Sequence, residues 1–152
     1  MRFSALALPA SIVMLVFNCS PAGAQAAAQP TRAKPGEAVL LVLNTVRAEK
    51  KQQFENHMTK LWEALDKLSA SDPEARRINA QTRVLRPAGA NADGTFTYVF
   101  VMDPLIPGAD YDMASILTRA FGEQESGQMM SLYRAAIVEE RAQVFSTVQA
   151  ER

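Results

Sequence analysis

The chain has 152 residues, with 16 basic and 16 acidic side chains, a formal net charge of zero and one cysteine. This balance excludes the strongly basic surface by which proteins hold nucleic acid or an anionic membrane. A chain of this length is expected to form one domain whose hydrophobic core is large enough to fold without disulfides.

The first 24 residues have the pattern of a cleavable secretory signal peptide. Arg2 precedes an apolar run from Phe3 to Phe17, and Ala22-Gly23-Ala24 follows before Gln25. This is the order of charged, apolar and small-residue regions in a signal peptide. The apolar run of about 15 residues is shorter than the roughly 20 that a membrane-spanning helix needs. We therefore expect removal of residues 1–24 and a periplasmic or secreted mature protein.

Cys19 leaves one alternative open, because a bacterial lipoprotein signal ends just before a cysteine that receives the lipid. Val16 and Phe17 precede it, where such a site requires small residues. Cleavage after Ala24 would remove Arg2 and the cysteine, and would leave 15 basic and 16 acidic residues, a net charge of −1. The mature chain would then hold no disulfide, and we expect it to bind neither nucleic acid nor a membrane.

The folded domain is expected over residues 37–149. Residues 25–36 are rich in Ala, Gln and Pro without periodicity, which indicates a flexible lead-in. Residues 38–46 are almost continuously apolar, with Asn44 and Thr45 as the polar interruptions. Such a short, β-branched run is typical of a strand that is buried on both faces.

Apolar residues at steps of three and four predict three amphipathic helices. The first covers residues 49–68, the second runs from an N-cap at Asp110 or Asp112 to Gly122, and the third includes residues 129–137. Asp72 before Pro73 predicts a further short helix over residues 73–79.

Three more strands are predicted, over residues 82–86, 95–102 and 144–148, with turn residues of a hairpin at 91–94. Alternation in the second of these strands places Phe96, Tyr98, Phe100 and Met102 on one face. The order of elements predicts an α+β fold of the ferredoxin-like, split βαβ type, with an antiparallel sheet and helices on one face. An uncovered apolar second face is an aggregation hazard in a monomer, so the pattern also predicts a homodimer.

The chain resembles the dimeric α/β-barrel superfamily and its antibiotic-biosynthesis monooxygenase-like domains over residues 37–149. The similarity is carried by the apolar strand 39–46, the long helix with Phe54, Leu61, Trp62 and Leu65, the strand 98–103 and the loop 107–112. The resemblance implies that two protomers press their sheets together around a barrel-like cavity. It also implies chemistry without metal or flavin, so we expect no cofactor.

Three functions remain open at this point. The first is an exported homodimer that binds a small apolar or aromatic ligand between its sheets. The second is a cofactor-free monooxygenase or isomerase that acts on a quinol-like or aromatic substrate. The third is a non-catalytic structural or interaction module with a filled interior. The sequence shows no catalytic motif, so no catalytic residue is assigned and whether the protein is an enzyme is left undecided.

Four residues are candidates for ligand binding because the resemblance implies polar and aromatic side chains of these types around a substrate: Asn44, Trp62, Arg83 and Tyr98. If the strand registers allow it, Asn44, Tyr98 and Arg83 share the cavity face, with Trp62 at its edge. Asn44 could instead bond a buried partner.

Two further groups have side chains that can take part in metal binding or acid–base chemistry. His57 flanks the apolar stripe of the long helix, which indicates a surface or boundary position. Asp103, Asp110 and Asp112 are explained by strand termination and helix capping, so no metal site is expected.

Overall fold

The computed structural model describes residues 32–151, so the predicted signal peptide lies outside the described part of the chain. The strands are β1 (Ala38–Val46), β2 (Thr82–Leu85), β3 (Phe96–Met102) and β4 (Gln143–Val148). The helices are α1 (Lys51–Ser69), α2 (Pro73–Gln81), α3 (Met113–Phe121) and α4 (Glu123–Ala136), with short 3-10 turns at Ala48–Lys50 and Glu139–Arg141. The predicted α+β class is confirmed.

The four strands form one antiparallel sheet in the order β2-β3-β1-β4. Asn44 of β1 lies opposite Tyr98 of β3, and Leu41 lies opposite both Val101 of β3 and Phe145 of β4. Directly opposed residues project to the same face of an antiparallel pair. The sheet therefore has a helix side, which contains Asn44 and Tyr98, and an open side, which contains Leu41 and its two partners.

Local signals in the sequence explain where the helices begin and end. The Asp72 carboxylate accepts hydrogen bonds from the first-turn amides of α2, and Pro73 occupies the first helical position. Asp112 accepts the N–H of Ser115 at the start of α3. Gly122, with φ of 89°, ends α3 in a conformation that favours glycine and directly precedes α4.

The hydrophobic core fills the space between the helices and the helix side of the sheet. The apolar stripe of α1 is buried there, as the sequence periodicity predicts. Its main partners are the side chains on the helix side of β3 and the apolar faces of α2 and α3. Full burial of each large side chain contributes about 1.5–3 kcal/mol, so this layer holds the helices on the sheet. The largest fully buried side chains are Tyr98, Phe54, Ile78, Leu117 and Val46.

The edge strand β4 differs from this core. All six residues of β4 are exposed, and β4 is held mainly by its ladder with β1. Gly36 donates its N–H to the carbonyl of Gln149, and Gln149 donates to Glu37, which extends the pairing beyond the strands. Within residues 32–151, none of the helices is both long and apolar enough to cross a membrane.

Candidate functional site

The four sequence-predicted site residues do not share one face of the sheet. Asn44 and Tyr98 project to the helix side, whereas Arg83 lies opposite Val101 on the open side. The predicted convergence of Asn44, Tyr98 and Arg83 is therefore wrong in its geometry. The reason is that residues 39–43 are apolar at every position, so alternation along β1 could not indicate which face meets the helices.

Asn44 is a buried polar group with a partner on a helix. Its residue is 2% exposed, and its side-chain Oδ1 accepts a hydrogen bond of 2.9 Å from the Tyr133 hydroxyl of α4. Burial raises the pKa of Tyr133 above its ordinary value, so the phenol stays a donor at neutral pH. This bond ties the carboxyl-terminal part of β1 to α4.

Tyr98 makes the equivalent link to α1. Its hydroxyl donates to Glu55 Oε1 at 2.7 Å, and Lys51 Nζ donates to the same oxygen at 2.7 Å. The hydrogen bond from Lys51 and then that from Tyr98 lower the pKa of Glu55. Burial, with the neighbouring carboxylate, raises the pKa of Tyr98. The pair is therefore a protonated phenol on an ionised carboxylate.

Trp62 and Arg83 lie away from these two links. Trp62 is partly buried on α1 and packs against the edge of the core. Arg83 donates to Asp103 Oδ2 at 2.8 Å, and Asp103 also accepts from Arg32 at 3.2 Å and from the N–H of Ala33 at 2.7 Å. Burial opposes ionisation of Asp103, yet these donors outweigh it and hold its pKa below the ordinary value. The described end of the predicted lead-in is thus bound beside β3.

His57 is buried, which contradicts the predicted surface or boundary position. The residue is 5% exposed, its Nε2 lies 3.0 Å from the Met113 sulfur of α3, and its ring centroid lies 5.1 Å from that of Tyr133 on α4. Position 57 follows Phe54 by three residues and precedes Leu61 by four, so it lies on the buried face of α1, where α3 and α4 also pack. Burial lowers the pKa of His57 to about 4, so the imidazole is neutral at pH 7.

A groove of about 680 Å³ lies between α1 and α4, with His57 in its wall. We call it the α1–α4 groove; its other lining residues are Gln53, Asn56, Thr59, Lys60, Met129 and Leu132. Gln53 bridges the two helices by donating to the Leu132 carbonyl at 2.7 Å. Sequence reasoning missed this groove because its walls come from helices far apart in the chain. The sequence signal that pointed toward this groove was Met129, which belongs to the apolar stripe predicted for residues 129–137.

A second, much smaller cavity of about 50 Å³ lies inside the core beneath α3. Tyr111 and Met113 line it on one side, and Thr82 on another, with a buried hydroxyl that has no hydrogen-bond partner within the described part of the chain. A drug-sized ligand needs a pocket of roughly 300 Å³ or more. This cavity is too small to hold a quinol-like molecule.

The open side of the sheet carries apolar side chains on all four strands, interrupted by the polar residues Arg83, Thr97, Gln143 and Thr147. Leu85 of β2 and Phe145 of β4 are 51% and 44% exposed, and the remaining apolar members lie between them on β1 and β3. Those members are Val39, Leu41, Leu43 and Val99, which are partly exposed, and Val101, which is buried. The helices pack on the other side, so within residues 32–151 this face of the sheet has no helix against it.

The acidic residues Asp110 and Asp112 are engaged in local structure. Asp112 caps α3, and Asp110 accepts from the N–H of Asp112 and from the Ser115 hydroxyl. Within residues 32–151, no group of three or more His, Cys, Asp or Glu side chains is placed to hold a metal ion.

No protein-family model, no curated protein and no solved structure matches this chain. The function is therefore inferred from the fold, and above all from the open side of the sheet.

Proposed function

We propose that the mature chain is an exported homodimer of the dimeric α/β-barrel type, which binds a small apolar or aromatic ligand between its sheets. The observation that carries this proposal is the apolar open side, to which all four strands contribute. Contiguous apolar surface of this kind marks an interaction site in a soluble protein. A two-fold interface would use the same face of both copies, so each apolar side chain on that face would be buried in the interface once from each copy.

The chain topology supports the ferredoxin-like part of the proposal. β3 lies between β1 and β2, and β1 lies between β3 and β4, so each strand–helix–strand unit has another strand inserted between its two strands. A split βαβ fold has this strand order, which supports this part of the proposal. Such a sheet carries helices on one side and leaves the opposite side for a partner.

One carboxylate and two arginines lie beside the open side. Asp103 pairs with Arg83, the one predicted site residue on this face, and also with Arg32, so it does not neutralise both cations. Phe145 and the aliphatic residues around it offer contacts to hydrocarbon or to an aromatic ring. This combination fits a small apolar or aromatic molecule that carries one polar group.

The dimer is tested by placing a charge on either face of β4. Phe145→Glu puts a carboxylate on the open side, and Val144→Glu puts one on the opposite face of the same strand, at a residue that is 65% exposed. We expect sedimentation velocity at micromolar concentration to show a dimer for wild type and Val144→Glu and a monomer for Phe145→Glu. A wild-type monomer, or equal behaviour of the two variants, would contradict the interface.

The ligand is tested on protein purified from its own host. Native mass spectrometry should show the dimer with a retained small molecule, which denaturing extraction then releases. Oxygen uptake with added quinols by the same preparation would identify the cofactor-free oxygenase instead. A dimer without ligand and without quinol turnover would support the structural module.

A further inference from the structure

We propose that residues 32–36, which we call the strap, cover one end of the open side, and that their release from Asp103 uncovers this end for a ligand. The ligand is the small apolar or aromatic molecule proposed above, so this part rests on the proposed function. The attachment of the strap to Asp103 is made by the chain itself and does not depend on any ligand.

The strap crosses the end of the sheet at which β1 begins. Its Gly36 N–H donates to the carbonyl of Gln149, directly after β4, at 2.9 Å. Its Ala33 N–H donates to Oδ1 of Asp103, directly after β3, at 2.7 Å. β1 lies between β3 and β4 in the sheet. The strap therefore passes across the start of β1, from the end of β4 to the end of β3.

A tight turn sends the chain back from β1 toward Asp103. Glu37 donates its N–H to the carbonyl of Lys34 at 2.9 Å, and Gly36 has a φ of 85°. Pro35 and Gly36 thus occupy the two central positions of a four-residue turn. Proline followed by a residue of positive φ is typical of a type II turn. Because glycine adopts this φ without steric cost, the sequence itself favours the reversal.

Two observations place the strap on the open side. Arg83 projects to that side, opposite Val101, and its Nη1 donates to Oδ2 of Asp103 at 2.8 Å. The same oxygen accepts from Arg32 of the strap at 3.2 Å. Val101 is 3% exposed and Asp103 is 8% exposed, whereas Val99, farther from the strap on the same face, is partly exposed. In the described part of the chain no helix packs on this side, so the strap and the side chains that hold it account for the burial of Val101.

One carboxylate decides whether the first part of the strap stays in place. All strap residues except Ala33 are exposed, and Ala33 is only partly buried, so no buried apolar side chain holds the segment. Arg32 and Ala33 both bond to Asp103, and hydrogen bonds to an ionised carboxylate are about twice as strong as those between neutral groups. Segments with few buried apolar contacts open at a lower free energy than the core. The strap can therefore leave Asp103 while the fold stays intact.

A hollow of about 810 Å³ adjoins the strap. Its lining consists of three strap residues, Asp103 and residues 149–151. This volume lies within the range of roughly 300–1,000 Å³ that is typical of ligand pockets. Release of the strap joins this hollow to the apolar surface around Val101, which gives a ligand more contact than the covered state allows.

The attachment is tested by amide hydrogen exchange of Ala33, followed by NMR in the full chain. We expect exchange in Asp103→Ala to be at least about tenfold faster than in the wild-type chain, because the N–H loses its acceptor. Asp93→Ala is the matched control. The Asp93 carboxylate also accepts from an arginine and from a backbone N–H, but it lies in the β2–β3 hairpin, so its loss should leave Ala33 exchange unchanged.

The covering role is tested with N-phenyl-1-naphthylamine, an uncharged aromatic probe whose fluorescence rises in apolar surroundings. We expect Asp103→Ala to bind the probe about four- to fifteenfold tighter than wild type, the gain that corresponds to contact with about one or two more methylene groups. The probe is uncharged because loss of Asp103 leaves two arginines that would attract an anion. Asp93→Ala should bind the probe as wild type does.

Three outcomes would contradict parts of this proposal. Unprotected Ala33 exchange in the wild-type chain, or equal exchange in Asp103→Ala, would overturn the attachment. A freed strap with unchanged affinity for the probe would overturn its role as a cover. If neither protein binds the probe although Ala33 exchange responds to Asp103→Ala, the proposed ligand site is wrong and the covering role falls with it, whereas the attachment is supported.

Discussion

At the scale of single residues, the bond between Asn44 and Tyr133 joins the sheet to α4 within the core. We expect Asn44→Ala to lower the free energy of unfolding by about 1–3 kcal/mol, because the Tyr133 hydroxyl would lose its acceptor while it stays buried. Retention of the ligand should be unchanged, since Asn44 faces away from the open side. Urea denaturation and native mass spectrometry measure the two effects.

Tyr133→Phe is the matched control for this prediction. It removes the hydroxyl but keeps the ring, and the double variant Asn44→Ala/Tyr133→Phe should be less destabilised than the sum of the single variants. Additive effects would mean that the two side chains do not interact. Loss of ligand without loss of stability in Asn44→Ala would instead place Asn44 at a binding pocket.

Because His57 is buried in its neutral form, we expect the free energy of unfolding to fall in acid. The folded chain keeps His57 neutral down to about pH 4, whereas the unfolded chain takes up the proton at its ordinary pKa of 6.5. The unfolded state therefore binds more protons between these values, and the free energy of unfolding falls as pH falls from 6.5 to 4. The full loss from this residue amounts to about 2–4 kcal/mol, and above pH 6.5 the residue contributes no pH dependence.

Carboxyl groups titrate in part of the same range, so the measurement compares wild type with His57→Gln. The stability advantage of wild type at pH 7 should shrink by about 2–4 kcal/mol as pH falls to 4, because glutamine takes up no proton. Parallel stability curves for the two proteins over this range would show that His57 is not held neutral by burial.

At the scale of elements, the start of α3 depends on one cap. Asp112 Oδ1 accepts a hydrogen bond of 2.9 Å from the N–H of Ser115. Within the described residues, no other carboxylate of the preceding loop accepts from that N–H. We expect Asp112→Ala to lower the free energy of unfolding by about 1 kcal/mol, while Asp112→Asn, which keeps the acceptor oxygen, changes it little. Thermal unfolding by circular dichroism measures both. Equal losses in the two variants would show that the charge matters and the cap does not.

Element positions followed from local chemistry, and this explains why the sequence predicted them well. The predicted helix over 49–68 is α1 at Lys51–Ser69, and the predicted strand over 144–148 is β4 at Gln143–Val148. Apolar spacing, Asp72-Pro73 and Gly122 are signals within a few residues of the boundary that they set. Such signals need no knowledge of the tertiary structure.

The site was harder to predict because it depends on which elements pack together. Tyr98 lies on the same face as Phe96, Phe100 and Met102, as alternation predicts, but the pattern could not show that this face meets the helices. His57 is buried by α3 and α4, and its contact with Met113 spans 56 positions of the chain. Neighbouring residues of a strand project to opposite faces. The sequence assigned Asn44 to the face of the proposed ligand cavity, whereas its side chain lies in the core.

At the scale of the whole molecule, export is the prediction that the sequence motivates most directly. Arg2, the apolar run and Ala22-Gly23-Ala24 predict cleavage before Gln25. We expect intact-mass analysis of the protein from its own host to find Gln25, or a close neighbour such as Ala27, at the amino terminus. A full-length intracellular product would contradict export, and a lipid on Cys19 would identify a lipoprotein.

The pairing of β4 with β1 has a mechanical consequence. Glu37 and Gln149 lie side by side at one end of this antiparallel ladder, joined by a backbone hydrogen bond. A force that separates these two points pulls across the strands, so it loads the ladder bonds one after another from that end, as in a zipper. Because every β4 side chain is exposed, little packing resists the process. Under tension applied there, β4 would peel away first, while β1 would keep its pairing with β3 and its contacts with the helices.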